Sequence, residues 1–382
     1  MKLANELRGR IRTMLGIPTE RCPLDAEPRG AFERDGITVE RWVYTSEPGS
    51  RIPAVLYRPS RPAGRMPAVA LTFGHGGSKS ETDYNYIGQV FARMGVACLA
   101  ADPIGEEERH ISGAMHTRAH DPLEVCERAD RAGRLIMGKL VYDTMRGLDF
   151  LESRADVDSS RLGVAGNSLG GCKATWMAAL DTRLRMAIVS GWAYDDVVVA
   201  SKPCQGQPIA RMREMCSWAE FMALAAPHCA LLVMNGAADV IIDKTGDGRA
   251  WRGTRETVAA AHPAWAAHGA EDRLACWFQP GGGHRPYPAA PAALEWLHRH
   301  LGTPGWTLEQ IRALPTLNYG QWADAHGVTF EALYGTPLHL RGAQLVDLGL
   351  RPMPREDLAC LRPEERGAPE YTLEGWLAQI AR

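Results

Sequence analysis

The chain has 382 residues, 43 Lys and Arg against 45 Asp and Glu, and a net charge of -2, so it can bury a large core, and its charge supports neither nucleic-acid binding nor attachment to an anionic membrane surface. Nine cysteines, an odd number with no C-x-x-C, read as free thiols of a reducing compartment. Met1 to Arg12 is basic without an apolar stretch and no apolar run nears the length of a membrane span, so a cytoplasmic protein is the simplest expectation, with removal of a leader left open.

Residues 1–35 read as a helix from Leu3 to Leu15 and a Pro-rich lead-in. Ile37 to Tyr44 and Ile52 to Arg58 alternate apolar and polar residues around the turn cluster Ser46 to Ser50, which predicts an antiparallel pair at a sheet edge. From Pro67 the character changes. Ala68 to Phe73 is continuously apolar, as expected of a strand buried on both faces, and Gly74-His75-Gly76-Gly77-Ser78 follows it. Tyr84 to Met94 reads as a helix and Val96 to Ala101 as the next buried strand. Residues 103–133 are polar, with Glu106-Glu107-Glu108 read as a solvated turn, and Leu135 to Ser153 is a long helix. Strands are expected at Leu162 to Ala165, Met186 to Ser190, Ala230 to Met234 and Leu274 to Phe278, with helices at Cys172 to Leu180, Trp251 to His268 and Ala289 to Leu301. This alternation predicts an α/β protein with a mostly parallel central sheet and helices on both faces, its working residues at the carboxyl ends of the strands.

Residues 191–228 interrupt the pattern. A polar turn over Cys204 to Pro208, then Ile209, Met212, Cys216, Ala219 and Met222 at helical spacing, predicts a lid insertion carrying one amphipathic helix. A catalytic domain over 36–302 is followed by 303–382, read as a helical extension without strands: a capping box at Thr307 to Gln310, then Tyr319 to His326, Thr329 to Tyr334 and Thr372 to Ala381.

The chemistry centres on Gly166-Asn167-Ser168-Leu169-Gly170, a G-x-S-x-G between a strand and a small-residue helix. A turn this tight excludes large side chains two positions either side of the serine and presents its hydroxyl above the sheet, at the positive end of the next helix. A serine nucleophile needs a base, and the base an acid partner. Of the twelve histidines, only His284 follows the last predicted strand in a glycine-rich turn, which makes it the expected base. Asp239, nearest its strand end, is the expected acid, with Asp243 the alternate. Two N–H groups for an oxyanion are expected from Leu169 and from the loop after the first parallel strand, at His75 with Gly76 second. Asn167, Trp192 and Met212 are expected at the substrate. His110, His116, His120 and Asp121 invite a metal reading, but no H-E-x-x-H is present and the stretch is not clearly helical, so neither metal nor cofactor is expected.

Ser168, Asp239 and His284 in this order, with Gly74 to Lys79, resemble the α/β-hydrolase fold. Asp102 to Arg109 and Val141 to Leu151 are further similar to bacterial acetyl-xylan-esterase-like and dienelactone-hydrolase-like proteins, over about residues 1–302. The resemblance implies a serine carboxylic-ester hydrolase acting on a small acyl ester, with self-association left open. Serine at 168, where dienelactone hydrolases proper carry cysteine, argues against a true dienelactonase. A serine peptidase of the same fold ranks lower, since the first parallel strand begins near Pro67 and no propeller precedes it. A non-catalytic scaffold would not need the complete Ser-Asp-His set.

Overall fold

The computed structural model describes residues 2–196, 202–328 and 342–381. Its strands are β1 (Glu27–Arg34), β2 (Ile37–Glu47), β3 (Ser50–Pro59), β4 (Met66–Thr72), β5 (Ala97–Ala101), β6 (Val157–Asn167), β7 (Leu184–Ser190), β8 (Ala230–Gly236), β9 (Leu274–Gln279), β10 (Thr316–Asn318) and β11 (Gln344–Val346). Its helices are α1 (Lys2–Leu15), α2 (Thr82–Arg93), α3 (Leu123–Arg131), α4 (Ile136–Glu152), α5 (Leu169–Leu180), α6 (Pro203–Arg213), α7 (Trp218–Ala223), α8 (Arg249–Ala266), α9 (Pro291–Leu301), α10 (Leu308–Arg312), α11 (Tyr319–His326), α12 (Arg355–Leu358) and α13 (Leu373–Ile380).

The large sheet runs β1-β2-β3-β5-β4-β6-β7-β8-β9. Every pairing from β5 through β4 to β9 is parallel, and β1, β2 and β3 join antiparallel at one end. Residues along β4 alternate between two cores. Ala68 and Ala70 face the layer containing α1, α4 and α5, whereas Val69 and Leu71 face the layer containing α2 and α9. The chain winds from β4 outward to β5, then crosses back to β6 on the other side of β4. That reversal opens a crevice at the carboxyl ends of β4 and β6, where ligands bind in open α/β sheets.

Three expectations need correction. β1 lies inside the stretch read as a lead-in and forms the true edge. Both faces of this strand are largely exposed, so it shows no apolar alternation. Residues 303–382 are not purely helical. β10 and β11 pair antiparallel, Trp322 and Leu345 enter the α2 and α9 layer, and Trp376 and Leu377 enter the opposite layer. The helix expected over Thr329 to Tyr334 lies outside the described residues. Among its described residues the 191–228 insertion holds two helices, not one. Pro203 sits in the first turn of α6, where its missing N–H costs nothing. The Ser217–Glu220 capping box then starts α7 afresh. The apolar faces of both helices lie largely in the core, with Phe221 edge-on to Trp176.

The acidic run after β5 is also not solvated. Glu106, Glu107 and Glu108 are all buried. Lys79 Nζ, wholly buried, lies 2.7 Å from Asp102, 2.9 Å from Glu107 and 2.8 Å from Glu108. The Lys79 N–H also donates to Asp102, and the Ser80 hydroxyl to Glu107. Glu108 accepts the N–H groups of Cys360 and Leu361. This network pins the segment just after the β4 loop. A second one holds α4: Asp143 lies 2.7 Å from Arg109 and 2.8 Å from Lys139, and Lys139 reaches Glu47 at 2.8 Å.

Burial alone would raise the Asp143 carboxyl, but Lys139 and Arg109 outweigh it and hold the group down at about 2, against an ordinary 3.8. A depressed folded-state value means stability that is present above pH 3.8 and lost as pH falls toward 2. Asp143→Asn is expected to cost about 3–5 kcal/mol at pH 7, because it leaves buried Arg109 without its carboxylate and buried Lys139 with Glu47 alone. Urea unfolding of both proteins from pH 7 down should show this gap narrowing below pH 4. A gap independent of pH would mean that the charge of Asp143 contributes nothing.

Candidate active site

The end of β6 turns into α5 at Ser168, whose φ of 59° and ψ of −120° lie in a region that L-residues rarely adopt. The flanking glycines are required by contact. A Cβ on Gly166 would sit 2.1 Å from Thr72 Oγ1, and one on Gly170 2.3 Å from the Thr72 carbonyl oxygen. The Thr72 hydroxyl donates to the carbonyls of Ala165 and Gly170, which ties the elbow to the end of β4. The Ser168 N–H donates to the Ser190 carbonyl, and Asn167 accepts from the Ser190 hydroxyl at 2.8 Å.

The loop after β4 lies against the serine. A Cβ on Gly74 would come within 3.3 Å of Ser168 Cβ. The Gly74 N–H donates to the Tyr84 hydroxyl at 2.9 Å, and the Gly77 N–H closes the turn on the Gly74 carbonyl. Leu169 is the first residue of α5, so its N–H has no acceptor within the helix.

Asp239 and His284 meet because the turns after β8 and β9 bond to each other. The Ala237 N–H donates to the Gln279 carbonyl and the Ala238 N–H to the Gly282 carbonyl. The Tyr287 hydroxyl donates to the Gly283 carbonyl and its backbone N–H donates to the Ser190 hydroxyl oxygen, so β7 and the histidine turn are fixed together. His284 Nδ1 lies 2.6 Å from Asp239 Oδ2, and Asp239 Oδ1 accepts the N–H groups of Ile241 and Ile242. Asp243 is occupied elsewhere: its two oxygens accept from Gly248 and Ala250 at the start of α8. Ser168, Asp239 and His284 are all buried, and Ser168 and His284 line one narrow cleft with Gly74, His75, Asn167 and Arg285. Arg285 is ion-paired with buried Asp83, a fixture of the cleft that sequence position alone did not signal.

Ser168 also borders a cavity of about 310 Å³, lined by His75, Arg118, Trp192, Lys202, Gln205 and Lys244 among others. Trp192 is 2% exposed, and its N–H and carbonyl are both bonded to the Asn235 side chain. Met212 is not at this cavity. It is wholly buried in the core, with its sulfur 3.4 Å from Cys216 Sγ, because the inner face of α6 is a core face. The histidines of 110–120 separate: His110 pairs with Ser112 and His116 with Glu81, while His120 and Asp121 turn inward toward His75 and Cys204. All nine cysteines are free, and no described helix is long and apolar enough to cross a membrane.

Residues 24–193 match the acetyl xylan esterase family. The chain is 29% identical over 194 residues to a Bacillus subtilis (strain 168) protein named "Putative hydrolase YtaP". That alignment covers 48% of this chain and 62% of the relative, less than two thirds of its length. Among solved structures, methylesterase BT1017 superposes with a TM-score of 0.60 at 22% identity, covering 81% of this chain and 67% of that one. A glucuronoyl esterase from Solibacter usitatus gives 0.56 at 17% identity, covering 78% and 92%. At these identities the structural likeness establishes the fold, that of the α/β hydrolases.

Proposed function

We propose that this α/β hydrolase is a serine carboxylic-ester hydrolase that works through an acyl-enzyme on small acyl esters, acetylated carbohydrates first among them. The observation that carries the reading is the strained Ser168 elbow sharing a cleft with a His284 held 2.6 Å from Asp239. In this reading Asp239 keeps the Nδ1 proton of His284 in place, which leaves Nε2 as the base. His284 takes the Ser168 proton as the hydroxyl attacks the ester carbonyl, and the N–H groups of Leu169 and His75 hold the oxyanion. The alcohol leaves with the proton from His284. Water activated by the same imidazole then releases the acid. The match over residues 24–193 supports the acetyl ester, and the cavity beside Ser168 has room for a sugar ring or a short acyl chain. Arg118, Lys202 and Lys244 around that cavity favour a second class, esters of acidic sugars.

The test is a panel of p-nitrophenyl acetate, acetylated xylo-oligosaccharides, a uronic acid methyl ester and a peptide anilide. Hydrolysis of one or more of the esters with the anilide untouched is the expected result. Cleavage of the anilide alone would assign a peptidase, and absence of any fluorophosphonate adduct would assign a non-catalytic scaffold.

Trp192 is proposed to limit the acyl or sugar group. Trp192→Ala is expected to raise the butyryl-to-acetyl ratio of kcat/KM by roughly tenfold, since the two methylenes that separate butyryl from acetyl would pack where the indole now lies. Its burial means that the melting temperature falls as well. A lower melting temperature with unchanged substrate ratios would make it a core residue alone.

A further inference from the structure

His75, His120, Asp121 and Cys204 converge from three separate segments: the loop after β4, the stretch before α3, and the first turn of α6. One donor atom from each lies within 4.8 Å of all the others, and all four residues are buried. Asp121 Oδ1 is at the middle of the group. It lies 3.3 Å from His75 Nε2, 3.4 Å from His120 Nε2 and 3.3 Å from Cys204 Sγ, and Cys204 Sγ is 3.4 Å from His75 Nε2.

Hydrogen bonding alone does not account for this packing. The His120 ring is oriented by its Nδ1, which donates to the Ile104 carbonyl at 3.2 Å. That tautomer leaves a lone pair on Nε2, directed among acceptors. His120 Nε2 and Asp121 Oδ2 have no hydrogen-bond partner among the described residues, although both are buried. The Cys204 S–H can satisfy one neighbour and no more. The cluster is therefore a set of acceptor lone pairs with too few protons among them.

The donor set and its spacing suit one class of ligand. Tetrahedral coordination by imidazole, carboxylate and thiolate at metal distances of about 2.0–2.3 Å places neighbouring donor atoms about 3.3–3.6 Å apart. The four separations of 3.3–3.4 Å fall at the lower edge of that range. Two neutral imidazoles with one carboxylate and one thiolate balance a divalent charge, as a fully buried site requires. Two nitrogens, one sulfur and one oxygen select zinc over magnesium or calcium, which take oxygen. The Nδ1 bond from His120 to a backbone carbonyl is the outer support that metal-bound histidines carry.

We propose that His75, His120, Asp121 and Cys204 form a closed, structural zinc(II) site. On binding, the Cys204 thiol becomes a thiolate bonded to the metal and its proton leaves to solvent; no electron is transferred. Four protein donors leave no open position, so the ion holds structure and does not activate water. It joins the β4 loop, with its His75 peptide, to α6 and to the stretch before α3. The site stands on its own geometry and is independent of the ester reading.

The test uses the full-length protein, stripped with chelator and titrated with Zn²⁺ or Co²⁺ alone. Uptake of about one equivalent of zinc per chain is expected, with a rise of several degrees in melting temperature. Co²⁺ should give a thiolate-to-metal charge-transfer band that Cys204→Ala abolishes and Cys126→Ala, which removes a neighbouring thiol, leaves in place. Mg²⁺ should do neither. If Cys204→Ala does not fold, Asp121→Asn with the Co²⁺ titration replaces it, and a band weakened several-fold is expected. Wild-type protein that takes up no zinc, gains no thermal stability and shows no cobalt band would overturn the site. So would a band that survives in a folded Cys204→Ala.

Discussion

Ser168→Ala is expected to lower kcat on ester substrates by on the order of 10⁴ or more while leaving the fold intact. The substitution removes one atom. Alanine keeps the Cβ that Ser168 already carries at its positive φ, so the backbone strain of the elbow is unchanged. The contacts that fix the turn also survive, since they run through the Thr72 hydroxyl, the Ser168 N–H and the two glycines. What disappears is the hydroxyl, and with it the acyl-enzyme route. Steady-state kinetics, a thermal melt and intact-mass analysis after a fluorophosphonate form the check. The wild type should gain one adduct on Ser168 and the variant none. A folded variant with near-full activity would remove Ser168 from the mechanism.

The elbow was legible because its sterics leave few choices: only glycine fits at 166 and 170 when the strand and helix close this tightly. The parallel strands were legible as continuous apolar runs, since burial on both faces removes alternation. Other features leave no local trace. β1 is an edge strand with largely exposed faces, and β10 and β11 are three residues each, too short for any period to register. Glu106 to Glu108 look like a solvated turn until the chain supplies Lys79 and the N–H groups of Cys360 and Leu361, which no window around the acids contains. The same holds for the zinc donors. His75 and Cys204 are 129 positions apart, so local spacing pointed to His110, His116 and His120, two of which face other partners. Met212 shows the reverse error. Its helical spacing was real, but the face it marked belongs to the core.

The acid partner is where a sequence choice between near neighbours becomes a sharp experiment. Asp239→Asn is expected to lower kcat by on the order of 10³–10⁴, and Asp243→Asn by little. The bonds dictate how the asparagine sits. Oδ1 of residue 239 accepts two backbone N–H groups, from Ile241 and Ile242, and only a carbonyl oxygen can keep them. The amide nitrogen must then face His284 Nδ1, where a carboxylate oxygen now accepts at 2.6 Å. Two donors cannot face each other, so the imidazole shifts its proton to Nε2 and loses the lone pair that would take the Ser168 proton. Asp243 has no such link. Its oxygens serve the first turn of α8, and an asparagine there retains part of that capping, so the loss is about 1 kcal/mol of stability. Measuring kcat/KM and melting temperature for both variants separates the roles. Equal kinetic losses in the two variants, or a greater loss at Asp243, would place the acid elsewhere than Asp239.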